Sequence, residues 1–275
     1  MMSLENFEQA CASLKGYFGV VGIFGGNPVM HPQFAEICKI MRKYIPYEQR
    51  GLWCNHPRGK GDVCRITFNP AYSNLNVHLS REAHDEFCSS WPEAKRFVKG
   101  LDPSWPEAKG KSPEIVGDSR HGPPFVALKD VIADEEERWN LIKNCDVNKY
   151  WSSMLCQVKG QLRAFFCELA GAQAMLHEND EGYPDTGMPV TVGWWTRPIQ
   201  DFQNQINKHC HECGIPLKGY GQLAVGGDHE QVSETHRGIY KPKVRDRLVQ
   251  LVTSRDQLGG QLPKATDYIQ NGGLQ

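Results

Sequence analysis

The sequence predicts an α/β chain in two parts, and three stretches predict it. Residues 20–24 form a short, β-branched apolar run, the mark of a buried parallel strand, and Gly25-Gly26-Asn27-Pro28 follows at once. Further strand-like runs then alternate with helix-like ones, at 51–55 and 73–79, as in a parallel sheet with crossover helices. From Cys145 the pattern changes to a β-hairpin followed by a helix and a Cys-x2-Cys, which reads as a small α+β unit.

Residues 4–16 make an amphipathic helix that ends near Gly16 and leads into the strand at Val20. The glycine pair lets the chain turn tightly and bring bare backbone groups against a ligand. His31-Pro32 opens a helix to about Tyr44, with Phe34, Ile37, Cys38 and Met41 at helical spacing. Strand, glycine turn and helix place residues 25–28 at the carboxyl end of a strand, where α/β folds put their chemistry. The plainer reading of the same residues is punctuation between a strand and a helix.

Residues 73–79 alternate, with Asn74, Asn76 and His78 on one face, and Ser80 caps a helix from Arg81 to about Cys88. Ser-Trp-Pro-Glu-Ala-Lys occurs at both 90–95 and 104–109, a local duplication inside a surface insert, and 100–124 reads as a long loop. Residues 125–131 look like an apolar strand, and 134–144 a charged helix that buries Trp139, Leu141 and Ile142. Residues 151–158 and 161–167 pair as a hairpin about Lys159-Gly160. A helix at 169–177, a polar loop at 179–189 and a helix at 198–209 follow, and the tail after Gly219 reads as loose at its end. The division is therefore 1–144, 145–219 and a tail, 220–275.

Charge is balanced, with Lys+Arg 31 against Asp+Glu 32, which gives no field to attract nucleic acid or a membrane surface. No apolar run is long enough to span a bilayer. The first residues carry acid where a signal peptide carries base, so the expected location is cytoplasmic. In a reducing compartment ten cysteines serve burial, catalysis or metal rather than disulfides.

Cys210 and Cys213 have the spacing that lets two thiolates grip one metal centre, and Cys145 and Cys167 flank the hairpin, at its open end. Four sulfurs suit either iron–sulfur or zinc. Zinc could also use the neighbouring His209 and His211, and a redox pair lacks the usual βαβ surroundings. Cys11, Cys38 and Cys88 read as small buried hydrophobes. Cys54 and Cys64 flank a Gly/Pro loop, and Cys156 is the stand-in ligand if the hairpin register is wrong. Trp194-Trp195 and Phe165-Phe166 read as core.

Gly25-Gly26-Asn27-Pro28 with His31-Pro32 resembles the "GGEP…HP" segment of radical S-adenosylmethionine enzymes, with Asn27 in place of the acidic residue. Cys145, Gly160, Cys167 and Cys210-x2-Cys213 resemble the twitch domain, a shortened SPASM domain, that follows the barrel in that family. The resemblance implies an incomplete (βα)6 partial barrel at 1–144 and a cysteine-ligated domain at 145–219. It implies S-adenosylmethionine on Gly25, Gly26, Asn27 and Pro28, with Asn76 and His78 near its ribose, and one auxiliary [4Fe–4S] cluster on Cys145, Cys167, Cys210 and Cys213. A small-molecule or peptide substrate and a reductant such as ferredoxin or flavodoxin are the implied partners.

The family's defining Cys-x3-Cys-x2-Cys is missing from the sequence. The expectation is therefore a downstream portion of such an enzyme, or a chain working with a separately encoded amino-terminal half, with a degenerate relative that keeps the barrel for binding as the competing explanation; in either case the chain is not competent alone for radical chemistry. The alternative is a non-catalytic, zinc-stabilised binding protein.

Overall fold

The computed structural model describes residues 1–54, 58–76, 81–93, 98–99, 123–145, 153–217, 229–239 and 248–258. The fold is mixed α/β in two compact units. One comprises Met1–Val116 with Val190–Arg197, the other Gly117–Pro189 with Pro198–Gln275. The division falls at 116/117 rather than 144/145, so the helices near 128–143 fold with the cysteine-rich unit.

In the first unit, helix α1 (Leu4–Ser13) starts where Ser3 Oγ accepts from the Asn6 backbone N–H at 3.2 Å. Strand β1 (Val21–Ile23), helix α2 (Phe34–Tyr44), β2 (Arg50–Cys54), α3 (Gly61–Thr67), β3 (Asn74–Asn76), α4 (Arg81–Ser90) and β4 (Val98–Lys99) follow. The strands lie in the order β1-β2-β3-β4, every pair parallel. A parallel sheet keeps its carboxyl ends on one edge, so residues 25–28 and Asn76 share that edge. Strand β1 is half-exposed rather than buried, with Val20 39% and Phe24 42% accessible, because among the described residues it is the sheet's edge strand.

Helix α2 buries Phe34, Ile37, Cys38 and Met41, the stripe read from the sequence. It starts three residues after His31, because a 3-10 turn (Pro28–Met30) comes first. Helix α3 was not anticipated in the loop after β2. Arg50 explains how the helices end. Its buried guanidinium donates to the carbonyls of Arg42 and Ile45 at the end of α2 and of Thr67 at the end of α3, supplying the partners that helix carboxyl termini lack. The core gathers Phe34, Met41, Leu52, Phe68 and Trp91 around Cys11, Cys38, Cys54 and Cys64.

In the second unit, the strand expected at 125–131 is instead a turn and helix α5 (Leu128–Val131). Val126, Ala127 and Leu128 are fully buried, so the apolar signal was real. Its backbone, however, pairs with distant residues rather than a sheet. Ala127 N–H donates to Ser233 Oγ, Ser233 N–H to the Phe125 carbonyl and Lys129 N–H to the His211 carbonyl. A short buried run reads alike as strand or helix, and only its partners decide.

Helix α6 (Glu135–Lys143) is capped by Asp134 and buries Leu141 and Ile142. Strands β5 (Met154–Val158) and β6 (Gln161–Phe165) form the expected hairpin, in register from Met154↔Phe165 to Val158↔Gln161. Lys159 and Gly160 both have positive φ, 49° and 79°, the two-residue turn that matches strand twist. A short β7 (Met188–Pro189) joins β6 from the polar loop. Helix α7 (Glu168–His177) packs on the hairpin.

The helix expected at 198–209 is a composite: a 3-10 turn (Ile199–Phe202), one α-turn (Gln203–Gln205) and a π-turn (Ile206–Cys210). In the tail, β8 (His229–Val232) pairs in parallel with β9 (Leu248–Leu251), and its end, expected to be loose, lies outside the described residues. Asp130 anchors the chain just after β8, accepting from Ser233 Oγ, Thr235 N–H and Thr235 Oγ1. Among the described residues no helix is long and apolar enough to cross a membrane.

Candidate metal centre

Each of the four cysteines sits at the end of an element, where the chain changes direction. Cys145 follows α6, its N–H donating to the Ile142 carbonyl. Cys167 is the N-cap residue of α7, with an extended backbone (φ −142°, ψ 143°) that turns the chain from β6 into the helix. Cys210 closes the π-turn, a winding that is uncommon and concentrates at functional sites. Cys213 lies in the turn beyond, where its N–H donates to the Cys210 carbonyl.

Hairpin, helix and turn bring all four to one place. Cys145, Cys167, Cys210 and Cys213 line a single pocket with Ile142, Phe166, Leu169, Ala170, His209, Ile215 and Pro216. The space beside them, counted together with the open solvent it borders, is about 330 Å³, so the site is a shallow, solvent-open recess and not a roomy closed cavity. All four are buried, with 6–9% of their surface accessible. Burial raises the thiols of Cys167, to about 12, and of Cys210 and Cys213, and neighbouring cysteines raise them further, since Cys145, Cys167 and Cys210 all act on Cys213. A free thiolate here would be isolated in apolar surroundings, so these groups ionise only when a cation takes the charge.

The remaining predicted residues sort differently. Cys156 faces α7, its Sγ 3.8 Å from the Gly171 carbonyl, and is not among the pocket-lining residues. Phe165-Phe166 is split: Phe165 is core, while Phe166 lines the pocket. His209 is buried with both ring nitrogens engaged. Its Nδ1 donates to Gln173 Oε1 at 3.0 Å and its Nε2 accepts from Thr186 Oγ1 at 2.8 Å. Burial lowers its pKa to about 4, so it is a neutral, oriented wall of the pocket. His211 packs edge-on against Trp139, ring centres 4.6 Å apart. Among the described residues, no group of three or more His, Cys, Asp or Glu side chains is arranged to hold a single metal ion.

Glu212, inside the Cys-x2-Cys, was not singled out from the sequence and proves to fasten the loop. Its carboxylate accepts from Lys129 Nζ at 2.6 Å and Lys208 Nζ at 2.7 Å, and its carbonyl accepts from Gln173 Nε2 and His236 Nε2. Burial alone would raise this carboxyl, and the two ammonium groups more than offset it, leaving its pKa below the ordinary value. Gly214 completes the fit, since a Cβ there would run into the carbonyls of Pro123 and Val126. The i,i+4 spacing of Lys208 and Glu212 was the available signal.

In the first unit, Gly25 and Gly26 have φ of 110° and 55°, and the space beside both is open. Asn27 precedes the Pro28–Met30 turn, with Pro28 buried. Lys60 Nζ holds the Val29 carbonyl at 2.7 Å, and His31 Nε2 donates to the Met2 carbonyl while its Nδ1 accepts from Gln33 N–H. Asn76 ends β3, and His78 lies outside the described residues. Comparison with family models, curated proteins and solved structures returns no match for this chain.

Proposed function

We propose that the second unit holds one [4Fe–4S] cluster on Cys145, Cys167, Cys210 and Cys213, in a protein of the radical S-adenosylmethionine type. The observation that carries this reading is the convergence of four cysteines, separated by up to 68 positions in sequence, on one apolar pocket. Four cysteine thiolates are the usual ligand set of such a cluster. When bound, the cluster supplies one-electron transfer. The chain's part is to orient the thiolates through the Glu212 clamp and to keep water off them with Ile142, Phe166, Leu169 and Ile215.

The first unit supports the cofactor half of the reading more loosely. Four parallel strands in chain order are what a partial barrel would contribute, and the open glycine turn lies at its carboxyl edge. There Gly25, Gly26, Asn27 and Pro28 would receive the amino-acid end of S-adenosylmethionine, with Asn76 on the same edge. The sequence given has no Cys-x3-Cys-x2-Cys, so radical generation would depend on a cluster held elsewhere. The second reading, zinc at the four cysteines without S-adenosylmethionine, rests on the same sulfurs.

One experiment separates them. Protein reconstituted without oxygen should bind about four irons and four sulfides per chain, and lose them when Cys167 and Cys213 are replaced by serine. Stoichiometric zinc with no iron uptake would leave only the second reading. Titration with S-adenosylmethionine tests the glycine turn separately, and heat of binding unchanged by Gly26→Ala would remove that turn from the site.

A further inference from the structure

Inside the second unit, His177 Nε2, Tyr183 Oη and His236 Nδ1 are buried with no hydrogen-bond partner among the described residues. His177 is the last residue of α7, 8% exposed, and His236 is fully buried in the 3-10 turn Glu234–Ile239. The other nitrogen of each ring is committed. His177 Nδ1 faces Asp180 Oδ2 at 2.7 Å, and His236 Nε2 faces the Glu212 carbonyl at 2.5 Å. Carboxylate and carbonyl oxygens only accept, so those nitrogens carry the hydrogens. In the neutral form each ring is left with one lone pair, buried and unanswered.

The two ring centres are 5.9 Å apart and tilted by 39°. Imidazole nitrogens about 2.1 Å from a shared ion would put their ring centres roughly 5 to 6.5 Å from each other. Tyr183 lies flat against His177, centres 4.9 Å apart, which keeps its hydroxyl in the same cluster. We propose that His177 and His236 are the protein nitrogens of a binding site for one divalent transition-metal ion of the zinc class, with the Tyr183 hydroxyl as the oxygen donor at hand.

One bridging water could also answer both lone pairs. The metal is favoured by the shape of the support. A histidine whose N–H is held by a carboxylate or a carbonyl, with its other nitrogen buried and unpartnered, is the arrangement that fixes tautomer and raises basicity in metal ligands. Both rings have it. Imidazole with oxygen suits zinc, copper or nickel better than iron–sulfur chemistry. No third His, Cys, Asp or Glu joins them among the described residues, so the remaining positions would go to Tyr183, water or a solute, as in sites that keep a position open. The site stands whether or not the four cysteines hold iron.

The test is cadmium-113 NMR of the full chain titrated with ¹¹³Cd²⁺, because sulfur-rich and nitrogen/oxygen-rich sites resonate in well-separated regions. The expected spectrum has a nitrogen/oxygen-type resonance beside any sulfur-type one. His177→Ala or His236→Asn should remove the former and leave the latter, and the sulfur-type signal also reports that each variant is folded. Asp180→Asn should weaken the nitrogen-type site about 10- to 100-fold. A wild-type spectrum with a sulfur-type resonance alone would mean the cavity takes water and would overturn the proposal. A nitrogen-type resonance alone would support it and count against the four-cysteine centre.

Discussion

Both units bury cysteines, but they use them in different ways. In the first, Cys11, Cys38, Cys54 and Cys64 lie along helices and a strand, packed against Phe34, Leu52 and Phe68, with Cys11 Sγ 3.9 Å from Met41 Sδ. Cys64 even has Cys54 and Cys38 for neighbours, and all are as buried as those of the second unit. In the second unit the four pocket cysteines sit at a helix end, an N-cap and a turn. Burial therefore says little about a thiol's role. A sulfur inside a regular element fills space among its neighbours, whereas sulfurs at chain reversals can be turned toward a common centre.

The sharpest way to break this contrast is substitution. Serine at any of 145, 167, 210 or 213 should reduce reconstituted iron from about four per chain to near none, while Cys38→Ser should leave it unchanged. Equal losses from both groups, measured by iron and sulfide analysis, would erase the distinction.

A second measurement follows thermal stability with pH. Burial raises Cys38 to about 11 and Cys11 and Cys167 to about 12, from an ordinary 9.0. Between those values the unfolded chain releases protons that the folded one keeps, so stability is intact below pH 9 and falls as pH rises above it. Loading the cluster should reduce that slope without abolishing it, because the first unit's thiols remain thiols.

Glu212→Ala should cost roughly 2–3 kcal/mol in urea unfolding, somewhat less than a fully buried pair because Lys129 is partly exposed, and should weaken iron retention. The smallest effect expected is that of Gly26→Ala. Its left-handed backbone penalises a side chain by about 1 kcal/mol, and iron content should not change.

Much of the second unit could be read from residue types. The hairpin followed from alternation about Lys159-Gly160, and the four ligand candidates followed from Cys-x2-Cys and the hairpin's ends. What stayed hidden was non-local. Residues 125–131 carry a strand-like run, yet their partners are Ser233 and His211, which no local pattern connects to them. The pairing of β8 with β9 and the reach of Lys129 to Glu212 were invisible for the same reason, as was the closeness of His177 to His236, 59 positions apart.

Sequence alone determined the helical stripe of α2, the turn at Gly160 and the spacing of the thiols, because side-chain periodicity, permitted φ and short chain distances are local properties. Only the tertiary structure decided that residues 145, 167, 210 and 213 line one pocket, that Cys156 does not, and that the rings of His177 and His236 come within 5.9 Å of each other. Those outcomes depend on which distant backbone and side-chain groups satisfy one another once water is excluded.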